Sequence, residues 1–167
     1  MIRTFKKDDA EYIINSHYEI YNKEYQYDFT FKQFVKEKVE GIIYRSNSEK
    51  ERIWIVEMDG KPKGSIGITK VNDEVAQLGL FLIEPSLRGT GLGGKLVQEA
   101  IHFCREAGYH SIMLWTSSKH VAAKHLYEKY GFILKETRVQ NLSNQDLIEE
   151  RWELELHQEY KHRRLLI

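Results

Sequence analysis

The chain has 167 residues, of which 41% are apolar and 30% charged, and its 25 basic residues balance 25 acidic ones. That length suits one domain able to bury its own core, and an even charge argues against nucleic acid as a partner, since such proteins usually carry a basic excess. A single cysteine, Cys104, excludes a disulfide framework and a thiolate metal cluster.

The predicted elements run as follows. Ile2 to Phe5 reads as a short strand. Asp8 or Asp9 caps a helix to about Asn22, with Tyr12, Ile13, Ile14, His17, Ile20 and Tyr21 at helical spacing. Thr30 caps a second helix carrying Phe31, Phe34, Val35, Val39, Ile42 and Ile43. Arg45 to Lys50 is a polar loop, and Ile53 to Met58 a strand. Asp59-Gly60 signals a hairpin into a strand over Gly64 to Val71. Asn72-Asp73 turns into an apolar strand ending at Ile83.

A glycine-rich join follows, and behind it Leu92, Leu96, Val97, Ala100, Ile101 and Cys104 make one stripe of a helix that Gly108 stops. Ile112 to Thr116 is a strand, Lys119 to Tyr130 a helix, Gly131 to Val139 a strand and Asn141 to Asp146 a loop. The last strand, Leu147 to Leu156, puts Ile148, Trp152, Leu154 and Leu156 on one face. Residues 157–167 are a charged tail. The order implies a mixed α/β layout around one sheet. Met1 to Asp9 lacks the apolar core of a signal peptide, and no apolar run nears the roughly 20 residues that span a bilayer. A cytoplasmic protein with no membrane contact is therefore expected.

Leu87-Arg88-Gly89-Thr90-Gly91-Leu92-Gly93-Gly94 is the segment that carries chemistry. Glycines let successive N–H groups converge on a phosphate, and a helix start adds its dipole. Gly89-x-Gly91-x-x-Gly94 fits a dinucleotide fingerprint, but the next strand ends in Thr116-Ser117-Ser118, with no acid for a ribose. Gly89-x-x-x-x-Gly94-Lys95 nearly fits an ATP-binding loop, but Leu96 stands where a magnesium-binding hydroxyl belongs.

A third pattern, Arg88-Gly89-x-Gly91-x-Gly93 between an apolar strand and a helix, resembles the acyl-CoA motif of the GNAT N-acetyltransferases. Glu84-Pro85, Leu114-Trp-Thr, Ala122-Ala123, Leu126-Tyr127 and Tyr130-Gly131-Phe132 extend the likeness, as does the order of elements. His17, Tyr21, Glu24-Tyr25, Tyr27-Asp28, Phe31, Asp73 to Leu78 and Trp152-Glu153-Leu154 look like the GNAT domain often fused behind MarR-type regulators. No MarR part is expected alongside it, and Gln140 to Asp146 lacks the His and Phe-Gly of that subgroup.

The resemblance implies one mixed, mostly antiparallel sheet of about seven strands with about four helices, splayed at its two central strands. It implies acetyl-CoA held by Phe81, Leu82, Ile83, Leu87 to Gly94 and Ser117, and acetyl transfer to a primary amine of a small molecule or peptide. Tyr127, in Leu-Tyr-x-x-x-Gly-Phe, becomes the acid that protonates the leaving thiolate. Glu74 is a candidate base, with Glu24 or His17 as alternatives through water. His17, Glu24, Tyr25, Tyr27 and Gln77 form the acceptor wall, where a core tyrosine or a capped helix end is the plainer reading of Tyr127 and of Glu24 to Asp28. Cys104 is expected to be inert, His120 and His125 solvated, and the protein a monomer or homodimer. The rival class is a non-catalytic acyl-CoA sensor of the same shape.

Overall fold

A computed structural model describes residues 1–156, so the expected tail lies outside the described residues. Seven strands form one sheet in the order β1-β2-β3-β4-β5-β7-β6. They are β1 (Ile2–Thr4), β2 (Arg52–Met58), β3 (Lys61–Lys70), β4 (Val75–Ile83), β5 (Ser111–Ser117), β6 (Ile133–Leu142) and β7 (Gln145–Glu155). The helices are α1 (Asp9–Tyr25), α2 (Phe29–Arg45), α3 (Leu92–Glu106) and α4 (Val121–Lys129). Only β4 and β5 pair in parallel; the other pairs are antiparallel.

Helices cover both faces, which is why β2 reads as an unbroken apolar run. Trp54 and Val56 face Leu96, Val97, Ala100 and Cys104 of α3 in one core. Ile53 and Ile55 face Val35, Val39 and Ile42 of α2 in the other. Arg3 fastens α1 to this sheet: its guanidinium donates to Asp9 at 2.8 and 2.9 Å and to Glu57 at 2.8 Å.

Several expectations shift. Asp28, not Thr30, caps α2, with its carboxylate accepting from the Thr30 N–H at 2.9 Å. Asn141 to Asp146 is not an open loop but a tight hairpin. Ser143 (φ 54°) and Asn144 (φ 57°) both take left-handed backbone, as a two-residue turn requires. The Asp28 N–H donates to Ser143 Oγ at 2.7 Å, tying this hairpin to the start of α2. On β7, Leu147 is buried and Ile148 exposed, because Ile148 stands beyond the end of the core that covers Trp152 and Leu154.

Strand β4 changes its facing midway. Ala76 and Leu78 enter the α3 core, yet Leu80 enters the α1/α2 core although strict alternation would keep it with them. The cause is a bulge. The β3–β4 register slips between Ser65 and Gly67, and Leu80 has φ 51°, a conformation rare for a bulky residue. Beyond it β4 bends away from β5: their pairing ends at Gln77↔Met113, so the later half of β4 has an open edge.

Candidate active site

The splay opens a cavity of ≈ 820 Å³ that runs from the glycine-rich loop, past the end of β5, to the inner faces of α1 and α2. Its two halves are built differently.

The loop half is mostly backbone. A single 3-10 turn at Pro85–Leu87 leads into Gly89 (φ 80°) and Gly91 (φ 87°), and α3 begins at Leu92 with no side chain capping it. Its first N–H groups therefore stay open to an anion. Nothing lies within 4 Å of a Cβ placed on Gly89 or Gly91, so these glycines serve the chain's conformation. Gly93 and Gly94 serve packing: a Cβ there would meet Leu126 at 3.3 Å and the Tyr130 hydroxyl at 2.9 Å. Of the residues expected to hold acetyl-CoA, Phe81, Leu82, Ile83, Leu87, Arg88, Gly89, Gly91, Gly93, Gly94 and Ser117 line the cavity. Thr90 and Leu92 do not; the Thr90 hydroxyl turns back to the Leu87 carbonyl at 2.6 Å. Bare glycine amides, an uncapped helix start and Arg88 are the donor set that a diphosphate needs.

Tyr127 stands where the two halves meet. It is 5% exposed, lines the cavity, and packs its ring 6.1 Å from Phe81 and 5.7 Å from Phe132. Burial pushes its phenol far above the ordinary tyrosine range, with nearby Tyr21 adding to the shift, so it keeps its proton.

The other half is made of side chains from separate elements. Tyr21 stacks on Phe31 with ring centres 5.1 Å apart and meets Tyr25, Tyr27 and His120 edge-on. Its hydroxyl donates to the Phe81 carbonyl at 3.3 Å. Tyr25 and Tyr27 line the cavity as expected, while Glu24 reaches across to the glycine loop and accepts from Arg88 Nη2 at 2.7 Å. His17 is 3% exposed; its Nδ1 lies 2.8 Å from the Ile13 carbonyl and its Nε2 has no partner. Gln77 also lines the cavity. Glu74 does not. It sits exposed in the turn before β4, where its carbonyl accepts from the N–H groups of His110 and Ser111 at 2.8 and 3.2 Å. The turn comes too early in the chain for its carboxylate to meet the splay.

His120 is the residue whose expected place the structure overturns. It is not a solvated helix residue but packs against Tyr25 at 4.5 Å between ring centres, with Thr116 Oγ1 3.3 Å from Nδ1 and Tyr27 Oη 3.4 Å from Nε2. Burial lowers the His17 and His120 imidazoles to about 4, so both are neutral at pH 7. Sequence reasoning also missed Lys38, Arg138 and Glu149, which line the same half. Arg138 lies over the Trp115 ring at 3.9 Å and pairs with Glu149 at 2.8 Å. Only the period-2 register of the β6–β7 hairpin could have signalled the latter two. Cys104 is buried with its thiol pushed up to about 12, as an inert core cysteine should be. Among the described residues no cluster of His, Cys, Asp and Glu has metal-binding geometry, and no helix is long and apolar enough to cross a membrane.

An open β4 edge, a bulge beside it and a glycine loop opening a helix define an acyl-CoA type of fold. The family model described as the Acetyltransferase (GNAT) family matches residues 14–132, and the chain belongs to that family. It is 25% identical over 141 residues to an uncharacterised N-acetyltransferase of Methanocaldococcus jannaschii, covering 81% of this chain and 61% of that one. It is 36% identical over 98 residues to a probable N-acetyltransferase of Xenopus tropicalis called camello, covering 57% of this chain and 43% of that one. The chain thus spans about half the length of these two relatives. Its fold matches that of an N-acetyltransferase from Staphylococcus aureus Mu50 with a TM-score of 0.78 at 21% identity, over 94% of this chain and 98% of that one. It also matches a putative acetyltransferase from Salmonella typhimurium, solved with acetyl-CoA, with a TM-score of 0.75 at 18% identity, over 95% and 94% of the two chains.

Proposed function

We propose that the chain transfers an acetyl group from acetyl-CoA to a primary amine, directly, with both substrates bound together. The observation that carries this reading is the single cavity that joins an anion-binding loop to a side-chain-lined acceptor chamber, with Tyr127 at the junction. Acetyl-CoA bound there supplies an activated acetyl thioester. The amides from Gly89 to Gly94 and the α3 dipole hold its diphosphate, with Arg88 as charge partner. The open edge of β4, Leu80 to Ile83, offers backbone partners to its amide-bearing arm and N–H groups that can polarise the carbonyl.

On the acceptor side the amine must arrive, or become, neutral. A free alkylamine has a pKa near ~10.4, so few molecules are neutral at pH 7. The side chain of Lys38, which has no carboxylate partner among the described residues, lines the cavity and disfavours the ammonium form. The amine nitrogen forms its bond to the acetyl carbon as the carbon–sulfur bond breaks. The Tyr127 hydroxyl, held protonated, donates to the departing sulfur, and the amine's proton leaves through water. The neutral imidazole of His120 lies close enough to Tyr25 and Tyr27 to order that water.

A thiol-release assay with acetyl-CoA over an amine panel tests the reading. Thiol release with one acceptor class is expected. Tight acetyl-CoA binding with no release for any amine would make the protein a binding module instead.

A further inference from the structure

The far end of the acceptor chamber holds two polar groups left unmatched among the described residues. Lys38, on α2, lines the cavity and has no ion pair there. Its ammonium lies over the bare backbone of Gly79, where an added Cβ would come within 2.5 Å of Nζ. Gly79 stands just before the β4 bulge, on the strand that borders the proposed thioester site. A side chain at Gly79 would fill the space that the lysine occupies. His17 is the second group. Its Nδ1 faces the Ile13 carbonyl, which can only accept, so Nδ1 carries the proton and Nε2 is a buried lone pair with no donor. Lys38 is near enough for its charge to help keep this imidazole neutral.

The chamber's only lining carboxylate among the described residues, Glu149, is already paired with Arg138. The chamber therefore offers a polycation no free carboxylate to pair with. It offers an anion a half-buried ammonium, and it offers an N–H donor a lone pair. From this juxtaposition we propose that the acceptor is an amine that also carries a carboxylate, which pairs with Lys38, while Gln77 and the His17 lone pair meet its remaining polar groups. This rests on the acetyl-transfer reading above and narrows its substrate class to amino-acid-like amines.

The test compares matched acceptors that differ only at the acid: amino acids, their amides, and the corresponding acid-free amines, with a polyamine as the opposite extreme. A charge-assisted contact predicts roughly 10- to 100-fold higher kcat/KM for the acid over its amide, carried mainly by KM. Lys38→Met, similar in length and apolar, should collapse the acid-to-amide ratio towards one, and Lys38→Glu should invert it. Circular dichroism reports whether either variant folds. If neither does, inhibition of the wild type by acetylated acids over acetylated amides reads the same contact. Equal or better turnover of amides, or an unchanged ratio in a folded Lys38→Met, overturns the inference and leaves the transferase reading intact. No thiol release from any amine overturns both.

Discussion

The two halves of the cavity solve opposite problems. In the proposed reading the loop half grips a diphosphate, a group of fixed shape, with main-chain amides that are consecutive in the chain. In the same reading the acceptor half chooses one amine among many, with side chains from α1, α2, β4, β5, α4 and the β6–β7 hairpin. A backbone grip depends on conformation, so its sensitive positions are glycines at positive φ. A side-chain chamber depends on how distant elements are pinned, so its sensitive positions include anchors outside the cavity.

The largest expected effect falls at the junction. Tyr127→Phe should lower kcat by about 100-fold, the scale of one lost proton donor, while acetyl-CoA affinity stays near that of the wild type. Calorimetric binding alongside the thiol assay checks this. Wild-type turnover in the variant would assign Tyr127 to packing alone.

Asp9→Ala tests the anchor. It leaves Arg3 with Glu57 as its one carboxylate partner and strips the Lys6 N–H of its 2.7 Å acceptor, at a site where Asp9 is 5% exposed. A loss of about 2 kcal/mol in urea unfolding is expected. The Arg3 hydrogen bond holds the Asp9 carboxyl below its usual range. Its contribution is therefore present above about pH 4 and lost as pH falls towards the depressed folded value. The variant should lose that part of the acid dependence.

Gly91→Val probes the other side of the comparison. No neighbour obstructs a side chain there, so the cost comes from forcing φ 87° on a branched residue. Acetyl-CoA should bind about 10-fold more weakly while the KM of the amine barely moves. An equal loss for both substrates would mean that the halves are not separable.

The smallest effect is a pH dependence confined to the acceptor half. His17 and His120 titrate near 4 when folded and near ~6.5 when unfolded. As pH falls below that unfolded value, the unfolded chain takes up protons that the native chamber refuses, so stability drops until about pH 4. Tm should fall by a few degrees between pH 7 and 6, and His17→Met should recover part of the loss.

Much of the loop half was legible in the sequence, because its backbone conformation is written in a contiguous run of glycines between an apolar strand and an amphipathic helix. The place of Tyr127 in the cavity was suggested only by its family-like setting, since its spacing alone equally describes a core tyrosine. Glu74 misled because sequence places it beside β4 without saying that the splay opens several residues later. His120 and Lys38 gave no signal: His120 stands in the turn before α4 and Lys38 on α2, and burial by partners remote in sequence has no local period.

The sequence by itself determined the order of elements, the two buried faces of the central strands and the glycine-rich bend, because each follows from periodicity or backbone freedom within one segment. Tertiary structure alone decided where β4 changes its facing, which polar groups the chamber leaves unmatched, and that a lysine on α2 meets a glycine on β4. Those outcomes depend on how far apart two strands stand and on what packs between them, and both are settled only when residues distant in the chain compete for the same space.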